Sequence, residues 1–190
     1  MNVNIRLATI NDIPALQALI RDSVSSLGAE YYSPRQIASS LSHIFGVDTQ
    51  LILDGTYFVA EVEGQVAGSG GWSKRNTLFG GDQAKAVRGE PILNSSDNPA
   101  VDAVLDPAKD AARIRAFYVH PMWSRKGIAS LILESCEEAA RNEGFRNIEL
   151  AATLPGVPFY LARGYTKAEE ILIKMEDGES LSTFRITRPL

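Results

Sequence analysis

The seven residues Ser124-Arg125-Lys126-Gly127-Ile128-Ala129-Ser130 have the makings of an anion cradle. They follow a run of alternating apolar side chains that stops at His120-Pro121, and they open a pattern with helical spacing: strand, short turn, helix N-terminus. The first turn of a helix carries unpaired backbone N–H groups and the positive end of the helix dipole, so a phosphate placed there is stabilised whatever the side chains. The residues add access and charge. Gly127 and Ala129 leave the backbone free of bulk where a diphosphate approaches, and Arg125 and Lys126 contribute mobile positive charge. A nucleotide-like ligand is the first expectation.

Other reactive residue types are sparse. Cys136 is the sole cysteine, which precludes an intramolecular disulfide, and helical spacing sets it on an apolar face with Ile128, Leu131, Ile132 and Ala139 as a buried structural thiol. His43 and His120 stand at no ligand spacing with it, so no metal site is expected. Gly68-Ser69-Gly70-Gly71 lies inside a strand pattern with no helix after it, which marks a bulge or room for substrate rather than a second phosphate cradle. Trp72 and Trp123 read as packing anchors.

These residues need a frame. Val3, Ile5 and Leu7 alternate as a first strand, and Asn11-Asp12 with Pro14 opens a helix bearing Ile13, Leu16, Ile20, Val24 and Leu27, stopped by Gly28. Ser33 with Gln36 makes a capping box, with Pro34 at the first helical position and Ile37, Leu41, Ile44 and Phe45 as the buried face. Residues 57–62 and 66–72 flank Glu63-Gly64 as a hairpin. From about 73 to 111 the pattern dissolves, and a connection of that length is more often functional or partly disordered than a plain link. Periodicity returns with strand 114–119, helix 124–142 and strand 147–152, an order that implies a parallel pair. A short helix at 159–163, stopped by Gly164, precedes a closing hairpin around Asp177-Gly178.

Residues 124–129 resemble the acyl-CoA signature of the GNAT N-acetyltransferase superfamily: Gln or Arg, two residues, Gly, one residue, then Gly or Ala, here with Ser124 at the first position. The element order resembles the GNAT fold across nearly the whole chain. That implies an α/β (α+β) architecture, with a mixed central sheet, a splayed parallel strand pair and flanking helices. It also implies a single domain over 1–190 with a long inserted loop at about 73–111. The resemblance further implies that strands 114–119 and 147–152 part at one end. The pantetheine arm of acetyl-CoA would bond there to the main chain of Phe117, Tyr118 and Val119, with its phosphates on Arg125, Lys126, Gly127, Ile128, Ala129 and Ser130. The break at His120-Pro121 fits, because proline has no N–H to continue the ladder.

Phe159-Tyr160-Leu161-Ala162-Arg163-Gly164-Tyr165 resembles the family motif whose tyrosine protonates the CoA sulfur, which implies a catalytic role for Tyr160. The chemistry is sound: a phenol of pKa ~10 is protonated at neutral pH and can donate to a thiolate. Leu154 stands where the family often carries asparagine. A backbone N–H near Val119 is the natural donor to the thioester carbonyl. Some relatives carry a glutamate on the signature strand, but here Arg113 and Arg115 occupy its outward positions, so the general base is open among Glu149, Glu61, His120 and a water chain. In this fold residues 27–32 and 72–79 border the acceptor, with the insertion as a lid. Its Asp82, Glu90, Asp97, Asp102, Asp106 and Asp110 outnumber Lys85, Arg88 and Lys109, which favours a cationic amine.

Composition sets the outer bounds. A chain of 190 residues, 45% apolar and 22% charged, has the size of one globular domain, and a net charge of −4 argues against nucleic acid as a partner. No window approaches the ~20 apolar residues that cross a bilayer, so no membrane partner is expected and the cytoplasm is the simplest address. A homodimer is compatible with the sequence. The expected function is that of an acyltransferase, an acetyl-CoA-dependent N-acetyltransferase that moves acetyl directly to the amine of a small molecule or peptide. The alternative is a catalytically inactive acyl-CoA-binding regulatory module, and a third reading, an interaction scaffold, predicts no CoA affinity.

Overall fold

The computed structural model describes residues 1–87 and 103–190. In chain order these form β1 (Asn4–Leu7), α1 (Ile13–Leu27), α2 (Pro34–His43), α3 (Thr49–Leu53), β2 (Tyr57–Val62), β3 (Gln65–Ser73) and α4 (Asp82–Val87). After the insertion come β4 (Ala112–Val119), α5 (Ile128–Asn142), β5 (Asn147–Thr153), α6 (Val157–Ala162), β6 (Thr166–Lys174) and β7 (Ser180–Pro189). The strands make one sheet in the order β1-β2-β3-β4-β5-β7-β6. Every neighbouring pair is antiparallel except β4 and β5, which run parallel across the α5 crossover. This is the mixed sheet expected from the element order. No helix among the described residues is long and apolar enough to cross a membrane.

Local chemistry accounts for most boundaries. Ser33 Oγ accepts the Gln36 N–H at 3.2 Å while the Gln36 side chain accepts the Ser33 N–H at 3.0 Å, so α2 starts at Pro34. Glu63 (φ 53°) and Gly64 (φ 76°) supply the positive φ angles of a two-residue hairpin turn whose twist matches β2 and β3. Helices α3 and α4 escape the periodicity, because five or six residues are too few to display a helical repeat. Helix α4 lies inside the insertion, whose ends are stitched together: Arg75 bridges Val104, and the Leu105 N–H reaches Lys74 O at 2.8 Å.

Helix α5 covers the sheet with Ile128, Ile132, Leu133, Cys136 and Ala140 buried. Leu131, expected on this face, is exposed; steps of four from Ile128 set the stripe, and position 131 falls on its flank while Leu133 points inward. Gly68 and Gly70 of β3 make room for this helix. A Cβ at Gly70 would stand 2.4 Å from Phe117 Cδ2 and 2.7 Å from Ile132 Cγ2. The β3–β4 register also slips between Ser69 and Gly71, the bulge expected of the glycine run, with the extra residue on β4. Gly70→Ala is expected to destabilise the protein by about 1–3 kcal/mol through overpacking. The check is a lower denaturant midpoint at unchanged slope; an unmoved midpoint would show that α5 shifts without cost.

Candidate active site

Strands β4 and β5 share a ladder where Ala112 faces Ile148 and Arg113 faces Glu149, and beyond these pairs they separate. The extra residue of β4 sits at Ala116, whose φ of 50° is unusual for a side-chain-bearing residue and whose carbonyl accepts the Tyr57 hydroxyl at 3.2 Å. Past the bulge the register returns: Gly68 faces Val119, and the His120 N–H bonds Ala67 O at 2.9 Å. Bonded and non-bonded positions alternate along an antiparallel ladder, so Val119, and Phe117 two residues before it, turn N–H and C=O toward the gap. A cavity of about 540 Å³ occupies this gap. Phe117, Tyr118 and Val119 line it with Arg125, Gly127, Ile128, Ala129, Ser130 and Tyr160. Lys126, expected with them, stands off the lining. Its ammonium lies 4.6 Å over the ring of Trp123, which thereby serves as cavity wall as well as packing anchor.

Two left-handed residues, Arg125 (φ 61°) and Gly127 (φ 86°), shape the turn ahead of α5. The helix proper begins at Ile128, later than the apolar pattern suggests, because this turn takes up the preceding residues. Among the described residues no backbone acceptor meets the N–H groups of residues 125–129, and a Cβ at Gly127 would find nothing within 4 Å. Unpaired amides at the positive end of a 15-residue helix, bordered by open space, are the groups that could hold an anion. Arg163 joins them without any local signal in the sequence. Its guanidinium bonds Ser130 Oγ and lies 3.4 Å from Glu134, contacts that exist only because α6 packs beside α5, and it sits 5.8 Å from the ring centroid of Phe159 one turn back.

Helix α6 brings Tyr160 to the same cavity. Its ring lies 6.0 Å from Phe117, 5.1 Å from Phe159 and 5.5 Å from Tyr165, centroid to centroid, and the residue is 5% exposed. Burial pushes the phenol above its ordinary range, and no hydrogen bond from the described residues offsets this. The hydroxyl therefore stays protonated through neutral and mildly alkaline pH.

The residues weighed as general bases lie elsewhere. Glu149 bonds Arg113 and stands 3.9 Å from Arg185; Glu61, on β2, is 2.6 Å from Arg6. His120 accepts the Met122 N–H at 3.2 Å through Nδ1 while Nε2 lies 3.7 Å from Asp22. None of the three lines the cavity. Arg113 and Arg115, expected to point outward, turn inward instead, Arg113 half-buried and Arg115 buried, because a carboxylate stands opposite each. The Arg115 side chain is 2% exposed, 2.7 Å from the fully buried Asp48, and donates to Gly80 O at 2.6 Å. Of the residues expected at the acceptor border around 27–32 and 72–79, Leu27, Gly28, Tyr32, Leu78 and Phe79 line the cavity, whereas Trp72 packs beneath on Phe145 at 6.0 Å. Asp82 accepts the Thr49 N–H, Asp106 pairs with Lys109 at 2.8 Å, and Asp110 accepts the Asp106 N–H at 2.8 Å; none of these acids lines the cavity. Glu90, Asp97, Asp102 and Arg88 lie outside the described residues, as does the side chain of Lys85. The expected lid turns on that stretch.

The sequence profile described as "Acetyltransferase (GNAT) family" matches residues 21–165. No curated protein sequence matches the chain. Among solved structures it is similar to the GCN5-related N-acetyltransferase from Rhodopseudomonas palustris, with a TM-score of 0.70 at 18% identity over 100% of this chain and 97% of that one. It is similar also to the paia N-acetyltransferase from Thermoplasma acidophilum in complex with coenzyme A, with a TM-score of 0.66 at 14% identity over 100% of both chains. The ribosomal-protein-alanine N-acetyltransferase from Brucella melitensis gives 0.61 at 18% identity, over 98% of this chain and 99% of that one. At such identities the likeness is one of fold.

Proposed function

This chain belongs to the acetyltransferase (GNAT) family, and we propose that it transfers the acetyl group of acetyl-CoA directly to an amine, with both substrates held between β4 and β5. Convergence carries this reading: an open strand edge, a run of unpaired amides and an unpartnered phenol meet on one cavity. Acetyl-CoA, when bound, supplies an activated thioester. The amides of residues 125–129 hold its diphosphate, and Arg125, Lys126 and Arg163 add charge around them. The main chain of Phe117, Tyr118 and Val119 pairs with the pantetheine amides as a neighbouring strand would, and the Val119 N–H polarises the thioester carbonyl. Tyr160 gives its proton to the departing sulfur.

Calorimetry with coenzyme A, followed by thiol release from acetyl-CoA against a panel of amines, tests the proposal. Saturable binding and amine-dependent thiol release with an acetylated product are expected. Binding without turnover for any amine would favour the regulatory module, and an absence of binding would overturn the CoA site itself.

A further inference from the structure

Part of the cavity is walled by apolar side chains from separate segments: Val24 and Leu27 on α1, Ile37 on α2, and Phe45 and Phe79 on the loops that follow. Beside them lies Arg115, on β4, whose side chain is 2% exposed and whose guanidinium donates to the carbonyl of the lining residue Gly80 at 2.6 Å. Its carboxylate partner, Asp48, is fully buried and off the cavity wall, so the charge nearer the cavity is positive. Two of the hydroxyls of this wall, those of Tyr32 and Ser40, are engaged within the protein. Tyr32 donates to Ser182 O at 2.7 Å and accepts the Leu154 N–H at 2.8 Å, and Ser40 donates to Ile37 O at 2.9 Å.

We propose that the acceptor is a primary amine on an apolar, ring-sized body with no further positive charge, taken into the cavity as the neutral base. This rests on the acetyl-transfer reading above and narrows its acceptor. An ammonium at this wall meets two penalties, desolvation and the like charge of Arg115, whereas the neutral amine meets only a much smaller desolvation cost. A second cationic group on the same molecule would face the same two penalties. The titratable groups lining the cavity are Arg115, Arg125, Arg163, Tyr32, Tyr118 and Tyr160; burial raises all three phenols, Tyr32 to about 12, so none serves as a base near neutrality. The neutral form needs no such base. Its nitrogen bonds the acetyl carbon as the carbon–sulfur bond breaks, one N–H proton passes to water, and Tyr160 protonates the sulfur and regains a proton from water. The cost is population, since a lysine-like amine is neutral in only about one molecule per thousand at pH 7.4.

The test compares 2-phenylethylamine, an aniline, a linear triamine and a lysine-containing peptide at saturating acetyl-CoA, after calorimetry has established coenzyme A binding. The arylalkylamine is expected to exceed the triamine and the peptide in kcat/KM by about 100-fold. Its log kcat/KM should rise with unit slope until the amine's own pKa, while that of the aniline, already neutral, stays flat. Preference for the triamine or the peptide would overturn the proposal, as would one inflection near neutrality shared by both aryl substrates, the mark of a protein base. Turnover with none of the four, despite CoA binding, would overturn the parent reading as well. The paired variant Arg115→Met with Asp48→Leu removes both buried charges together and so avoids stranding one of them. With an unchanged melting temperature it should cut the preference over the triamine at least tenfold, and an unaltered preference would remove Arg115 from this role.

Discussion

Tyr160→Phe is expected to lower kcat by about 10²–10⁴-fold, the usual contribution of a positioned acid, while coenzyme A affinity stays within a few-fold. The substitution is nearly isosteric. The ring keeps its places against Phe117, Phe159 and Tyr165, and the lost hydroxyl has no partner among the described residues to strand, so melting should hardly move. The pH profile supplies a second check. Burial raises this phenol, so wild-type activity should show no descending limb from Tyr160 through mildly alkaline pH. Undiminished turnover in the phenylalanine variant would show that the sulfur takes its proton from water.

Gly127→Val should weaken coenzyme A binding by at least about 30-fold, the effect of spoiling two or three backbone contacts to an anion. At φ 86° any L-side chain is strained by about 1–2 kcal/mol, and a β-branched one most of all. Its Cβ would otherwise enter open space, so in the free protein the effect is limited to that strain. The larger effect falls on the ligand, which has to approach the amides through the space the valine fills. Gly178→Val is the matched control, with φ 87° and equally open surroundings but in the β6–β7 turn, away from the cavity. Both variants should lose similar stability in a thermal melt, and only the first should lose calorimetric CoA binding. Equal affinities would mean that the diphosphate is seated elsewhere.

Much of this site is legible before any coordinates, because its main parts are local. A helix N-terminus, a glycine beside it, a capping box and a two-residue hairpin turn each depend on residues within a few positions of one another, and the chain declares them directly. The expectation for Tyr160 rests instead on the resemblance of residues 159–165 to a family motif. Pairings across the fold left no such trace. Arg115 reads as an exposed strand position until Asp48 is seen opposite it, and Glu149 reads as a candidate base until Arg113 is seen to hold it.

The succession of strands and helices along the chain and the glycine turn ahead of α5 were thus contained in the residue pattern, since apolar periodicity, glycine and proline act through nearest neighbours and water. Three things emerged only on folding: the closing of apolar faces from α1, α2 and two loops around Arg115, the arrival of Arg163 beside Ser130, and the isolation of the Tyr160 hydroxyl. Each is a matter of distance and dielectric between residues far apart in the chain, and a side chain acquires its charge state and its partners from those surroundings.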